Sequence, residues 1–142
     1  MKNIITILLI LVSNFLVAQE IYRDTVLERQ MFEQVNVYRV ENGLTPFTWN
    51  DDNQTAVAWG EHLTTVQLNG LTHCLCQPGS EILADIPLDL YGNTLEMITY
   101  TIDRWDNSPM HKQQLVRPQS ERAFFAAIVY EGRVNFTTNH TT

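Results

Sequence analysis

The chain has 142 residues, 44% of them apolar, and carries 16 acidic against 9 basic side chains, for a net charge of −7 at pH 7. That length and apolar share suit a single domain able to bury a core, while scattered lysines and arginines in an acidic chain argue against nucleic acid or anionic lipid as partner, since both need clustered cations. With Cys74 and Cys76 as its only cysteines, the fold cannot rest on a disulfide framework, and packing must hold it together.

Residues 1–18, MKNIITILLILVSNFLVA, set Lys2 ahead of an apolar run from Ile4 to Val12 and end on the modest side chains of Val17 and Ala18. This is the pattern of a secretory signal peptide. It predicts export, a secreted or periplasmic location, and one domain over residues 19–142. The run is shorter than the roughly 20 residues of a membrane-spanning helix and no basic stop-transfer cluster follows it, so no stable membrane insertion is expected once the signal is removed. Export implies oxidising surroundings, yet Cys74 and Cys76 would close only a very small, strained ring. A strained local disulfide and two free thiols both stay open.

Leu27, Met31, Val35 and Tyr38 fall at helical steps and draw one stripe along a helix from Thr25 to Glu41. Asp24 or Thr25 can cap its start, and Asn42-Gly43 supplies the stop. Asn36 and Arg39 flank the stripe, where they either brace a neighbouring loop or face water. Leu44 to Trp49 reads as an extended connector, with Pro46 keeping its predecessor out of helical geometry and Phe47 and Trp49 plugging the end of the core. Asp51 and Asp52 stand where a second helix, over 52–66, would present its positive dipole end; the small Ala56 and Gly60 on it suggest a closely packed neighbour.

From Gln67 to Gly92 glycine and proline interrupt any period, and the stretch reads as a long irregular loop pinned by Ile82-Leu83-Ala84. Connections this long in a compact domain tend to be functional. Asn93 or Thr94, with Glu96 in the first turn, opens a third helix that aligns Leu95, Ile98, Ile102 and Trp105 and ends near Asn107-Ser108-Pro109. A short helical turn is expected from His111 to Val116, stopped by Pro118. Ala123 to Tyr130 is almost wholly apolar, as in a strand covered on both faces. Glu131-Gly132 forms a tight turn into an alternating partner strand, Arg133 to Thr138, and Asn139 to Thr142 reads as a loose tail. This order predicts an α+β fold, a three-layer α-β-α sandwich with a small antiparallel sheet between helices; a two-layer domain is the alternative.

His73, Glu81 and His111 are the groups best suited to chemistry. Two imidazoles and a carboxylate make a three-ligand site for a divalent cation such as zinc, or a general base and acid if they come within hydrogen-bond reach, with Glu81 the candidate catalytic group. A purely structural cluster that ties loops together accounts for the same residues. His73-Cys74-Leu75-Cys76 offers thiolates beside an imidazole for a soft ion, but lacks a second ligand pair. Ser108 and Ser80 are the possible serine nucleophiles; no Gly-x-Ser-x-Gly elbow surrounds either, and Ser108 before proline is explained as a helix terminator. Triplets beginning at Asn53, Asn135 and Asn139 match the glycosylation motif, which matters only in a eukaryotic host.

Taken in order, Asn36-x-x-Arg39 with Gly43, Leu44-x-Pro46-Phe47-x-Trp49, His73, Gly79-Ser80-Glu81-Ile82-Leu83-Ala84 and Trp105-x-x-Ser108-Pro109-x-His111 resemble the CAP superfamily of cysteine-rich secretory proteins, antigen 5 and pathogenesis-related proteins, in its short prokaryotic secreted form. The resemblance runs from about Thr25 to Thr138. It implies an α-β-α sandwich with a surface cleft in which histidines and acids can bind a divalent cation. His73 matches the first family histidine, Glu81 the glutamate of the Gly-Glu-Asn segment, and His111 the second histidine. The chain departs from the pattern at Ser108, where animal and plant members carry a glutamate, and at Ser80 and Ile82, which alter the Gly-Glu-Asn segment. The cleft expected from the resemblance is His73, Glu81, Ser108 and His111, with His73, Glu81 and His111 as metal ligands.

The leading expectation is thus a secreted, non-enzymatic module whose cleft takes an extracellular or envelope ligand, with or without a divalent cation. A metal-dependent hydrolase of peptides or envelope polymers, and an extracellular scaffold with a structural polar cluster, are the alternatives.

Overall fold

The computed structural model describes residues 21–50, 73, 80–118 and 120–141; the expected signal peptide, the second helix over 52–66, Gly79 and both cysteines lie outside them. The described elements run β1 (Tyr22–Arg23), α1 (Thr25–Glu41), β2 (Thr48–Trp49), β3 (Ser80–Pro87), a 3-10 turn (Leu88–Leu90), α2 (Thr94–Asp106), α3 (Pro109–Leu115), β4 (Arg122–Tyr130) and β5 (Arg133–Thr141). Among the described residues this is an α+β fold of three α-helices and one five-stranded sheet, antiparallel except where β2 joins β4.

The sheet is built on the closing hairpin. Tyr130 lies opposite Arg133, which leaves Glu131 (φ +47°) and Gly132 (φ +71°) as a two-residue turn with both centres left-handed, the geometry that matches strand twist. β3 adds along the far side of β5, and β1 and β2 pair with opposite ends of β4, giving the order β1-β4-β5-β3.

β4 is buried on both faces, as its apolar run predicts. Ala123, Phe125, Ala127 and Val129 share a core with Leu27, Met31 and Val35 of α1 and Met97, Ile98, Ile102 and Trp105 of α2. Phe124, Ala126 and Ile128 form a second cluster on the opposite face, touched by Trp49. Their cross-strand neighbours there, Asn139, Thr137 and Asn135, are buried as well.

Local chemistry sets the helix ends. Asp24 accepts from the Val26 and Leu27 amides at the start of α1, Gly43 at φ +74° follows its end, and Asn93 accepts from the Glu96 amide at the start of α2. Asn36 and Arg39 brace the following connector. Asn36 exchanges two hydrogen bonds with the Phe47 backbone, at 2.7 and 3.1 Å. Arg39, 1% exposed, donates to the carbonyls of Thr45, Leu115 and Arg117 and lies 3.7 Å from the Phe47 ring centroid.

Three boundaries differ from the sequence-based expectation. The supposed loop around Ile82-Leu83-Ala84 is an eight-residue strand, β3. Ile82, Ala84 and Ile86 turn to the main core while Glu81, Leu83 and Asp85 line up with Asn139, Thr137 and Asn135; that period of two is short and bracketed by proline and glycine, and Pro87 is tolerated because it closes a strand at the sheet edge. The tail is not loose, because β5 continues to Thr141 with Asn139 and His140 buried. The last short helix starts at Pro109 rather than His111, proline being well suited to a first helical position that needs no amide donor. No described helix is long and apolar enough to cross a membrane.

Candidate functional site

The site forms where β3 meets the α2–α3 corner. Trp105, 1% exposed, fixes that corner by donating its indole N–H to the Leu83 carbonyl at 3.0 Å. α2 then ends, Ser108 occupies the cap position of α3, and Pro109 begins the new helix, so His111 emerges in the first turn beside β3. Asp106, at the end of α2, is held by Tyr38 and by Lys112 at 2.8 Å, which ties α1, α2 and α3 together. These two bonds hold the Asp106 carboxyl below its usual range.

A recess of about 360 Å³ opens at this corner, lined by Leu83, Ala84, Asp85, Arg104, Trp105, Ser108 and His111. His73 and Glu81 meet each other beside it: the His73 Nδ1 lies 2.8 Å from Glu81 Oε2. The Glu81 side chain is 7% exposed and that of His73 60% exposed, so a buried carboxylate anchors an imidazole that faces solvent. A carboxylate accepts at that distance, which makes Nδ1 the donor to Glu81. Burial, then the positive charges of His73 and Arg104, hold the His111 imidazole below its ordinary pKa. Both effects favour the neutral ring, and His73 is near enough for its charge to be felt at His111.

Of the four expected cleft residues, Ser108 and His111 share the recess, and His73 and Glu81 share a hydrogen bond. Among the described residues no three His, Cys, Asp or Glu side chains are disposed to hold a metal ion. Glu81 Oε2 is engaged by His73, where it orients the ring as an outer carboxylate does behind a ligating imidazole. Ser108 makes no hydrogen bond to His111 among the described residues, so the pairing that would activate a serine is not formed.

Sequence reasoning missed Arg104 and Asp85. Arg104 stands beside the conspicuous Trp105 and precedes His111 by two helical turns, a spacing broken by Pro109 that no motif flags. Asp85 was hidden in the supposed loop. In the strand it accepts from Arg133 Nε at 2.9 Å and from the Tyr130 hydroxyl at 3.3 Å.

No family model matches the sequence, and no curated protein matches it in sequence. Solved structures do resemble it in fold. An outer surface protein from Borrelia burgdorferi aligns over 84% of this chain and 96% of its own with a TM-score of 0.64 at 15% identity. Hookworm platelet inhibitor, a CAP-family protein, aligns over 84% of this chain and 70% of its own with a TM-score of 0.54 at 10% identity. A cysteine-rich secretory protein from Staphylococcus aureus aligns over 81% of this chain and 38% of its own, with a TM-score of 0.49 at 14% identity. The chain has a CAP-like fold.

Proposed function

We propose that this chain is an exported, non-enzymatic CAP-like binding module, organised as a three-layer α-β-α sandwich, whose ligand site is the recess at His111 together with the adjoining His73–Glu81 pair. The observation that carries this reading is the 2.8 Å bond between His73 and Glu81 beside a recess that holds His111. Polar groups from widely separated parts of the chain meet at a concave surface of about 360 Å³, within the usual range for small-molecule sites. Burial on both faces of β4 supports the three layers, since an exposed sheet face would not carry Phe124 and Ile128. A buried Glu81 committed to His73 favours binding over hydrolysis, because a general base must reach the proton it removes. A divalent cation, if one is used, would take His73 and His111 as its protein donors.

Two titrations followed by amide NMR test the reading. In the first, zinc is added to the mature domain; cation use predicts shifts at His73 and His111 and a higher melting temperature, both lost in His73→Ala and His111→Ala. In the second, a panel of neutral, cationic and anionic small molecules is added. The binding reading predicts that at least one member shifts Ala84, Trp105, Ser108 and His111 together and saturably. A panel and a zinc series that leave those four signals unmoved would overturn it.

A further inference from the structure

Resting on that reading of the recess, we propose that its ligand group is an oxyanion, a carboxylate or phosphate held by Arg104 and His111, rather than a cation. The whole chain is acidic, with a net charge of −7, so a site with the opposite bias has to be built locally, and this one is. The acids on the strand and helices that bound the recess are largely spoken for. Glu81 is bonded to His73, Asp85 to Arg133 at 2.8 Å with a further bond from Tyr130, and Asp106 to Lys112 and Tyr38. At the far end of α2, Glu96 accepts from the Gly92 amide. Asp103 stays exposed, one residue from Arg104 and a third of a helical turn away from its face.

Arg104 is the cation left over. It lines the recess yet takes part in no ion pair among the described residues; its guanidinium carbon lies 5.8 Å from the Tyr100 ring centroid. A guanidinium offers a planar fork of donors that matches the two oxygens of a carboxylate or phosphate. His111 adds a ring N–H and Ser108, whose side chain makes no cap bond to α3, adds a hydroxyl. All three donors stand on one rim of the recess, on α2, the corner and α3, while Leu83 and Ala84 of β3 supply an apolar wall. Among the described residues, a cation placed there would meet Arg104, and the lining carboxylate, Asp85, is already held by Arg133. An anion would meet the donors of Arg104, Ser108 and His111, with the negative charge of Asp85 offset by Arg133.

The probes are benzoate, phenyl phosphate and the neutral amide benzamide, each titrated into the mature domain and followed by NMR at the Arg104 Nε–H, Ser108 and His111. The proposal predicts saturable shifts with benzoate or phenyl phosphate, at least tenfold weaker binding of benzamide, and weaker anion binding as salt rises through screening. The benzoate and phenyl phosphate arms show which oxyanion is preferred. Arg104→Gln, a change at an exposed side chain that leaves the core intact, should weaken anion binding at least tenfold, and Arg104→Lys should recover part of it. Equal binding of benzoate and benzamide, unchanged anion affinity in Arg104→Gln, or no response to either anion would overturn the proposal. Shifts with neutral or cationic molecules alone would leave a recess that binds while removing the oxyanion, and so separate this failure from that of the binding reading itself.

Discussion

His140 illustrates how much a single residue can depend on its surroundings. In sequence it lies in what looks like a tail; in the structure it is 1% exposed, its ring tilted against Phe47 at 4.6 Å between centroids, with Nδ1 3.1 Å from the Gln114 carbonyl. The carbonyl can only accept, so Nδ1 carries the proton. Burial pushes the His140 imidazole down to about 4, against the partial restoring effect of Gln114 and with the charges of Arg39 and Arg117 adding to the fall. A folded pKa below the unfolded value means the unfolded chain binds the proton first as pH drops. The contribution of neutral His140 is therefore complete above about 6.5 and is lost as pH falls towards 4, amounting to about 3 kcal/mol for a shift of that size. Urea denaturation at a series of pH values should show unfolding stability declining through that window, and His140→Gln should flatten the decline. A slope unchanged in the variant would assign the acid sensitivity elsewhere.

Arg39 was legible to the same depth and no further. Its position beside the α1 stripe and ahead of a proline-bearing connector suggested a brace, and the structure supplies its carbonyl partners at Thr45, Leu115 and Arg117. The last two are in a part of the chain that no local pattern connects to α1.

At the scale of elements, periodicity found what was long and regular. α1, α2 and the β4–β5 hairpin follow from apolar spacing, caps and the Glu131-Gly132 turn, each a property of neighbouring residues. β3 was overlooked because its alternation is short and framed by glycine and proline, and because an edge strand owes its existence to a partner far along the chain, here β5. The extension of β5 escaped for the same reason: Asn139, His140 and Thr141 look like polar tail residues until paired with Phe124, Ala123 and Arg122. Truncation after Thr138 tests this pairing. The shortened chain loses two buried residues and the strand end that faces both β3 and β4, and should be destabilised by several kcal/mol, on the scale of other losses of buried polar partners and packing. A truncated protein with the full-length melting temperature would show that the end of β5 contributes nothing.

At the scale of the whole molecule, the candidate site was half legible. Ordered motifs pointed to His73, Glu81, Ser108 and His111 as neighbours, and the CAP-like fold brings Ser108 and His111 to one recess with the His73–Glu81 pair beside it. What the sequence could not convey was the division of labour. Glu81 faces His73, Asp85 is held by Arg133, and Arg104 joins the recess, all of which depend on β3 lying against the α2–α3 corner.

The central claim, that His73 and His111 belong to one site, can be measured directly by following both imidazole signals by NMR through a pH titration. In the wild-type protein His111 should titrate below 6.5, because it is partly buried and faces the positive charges of His73 and Arg104. Removing one of those charges with His73→Ala should raise the His111 pKa while leaving it under 6.5, since burial and Arg104 remain. An identical His111 titration in wild type and His73→Ala would mean that the two histidines do not share a site.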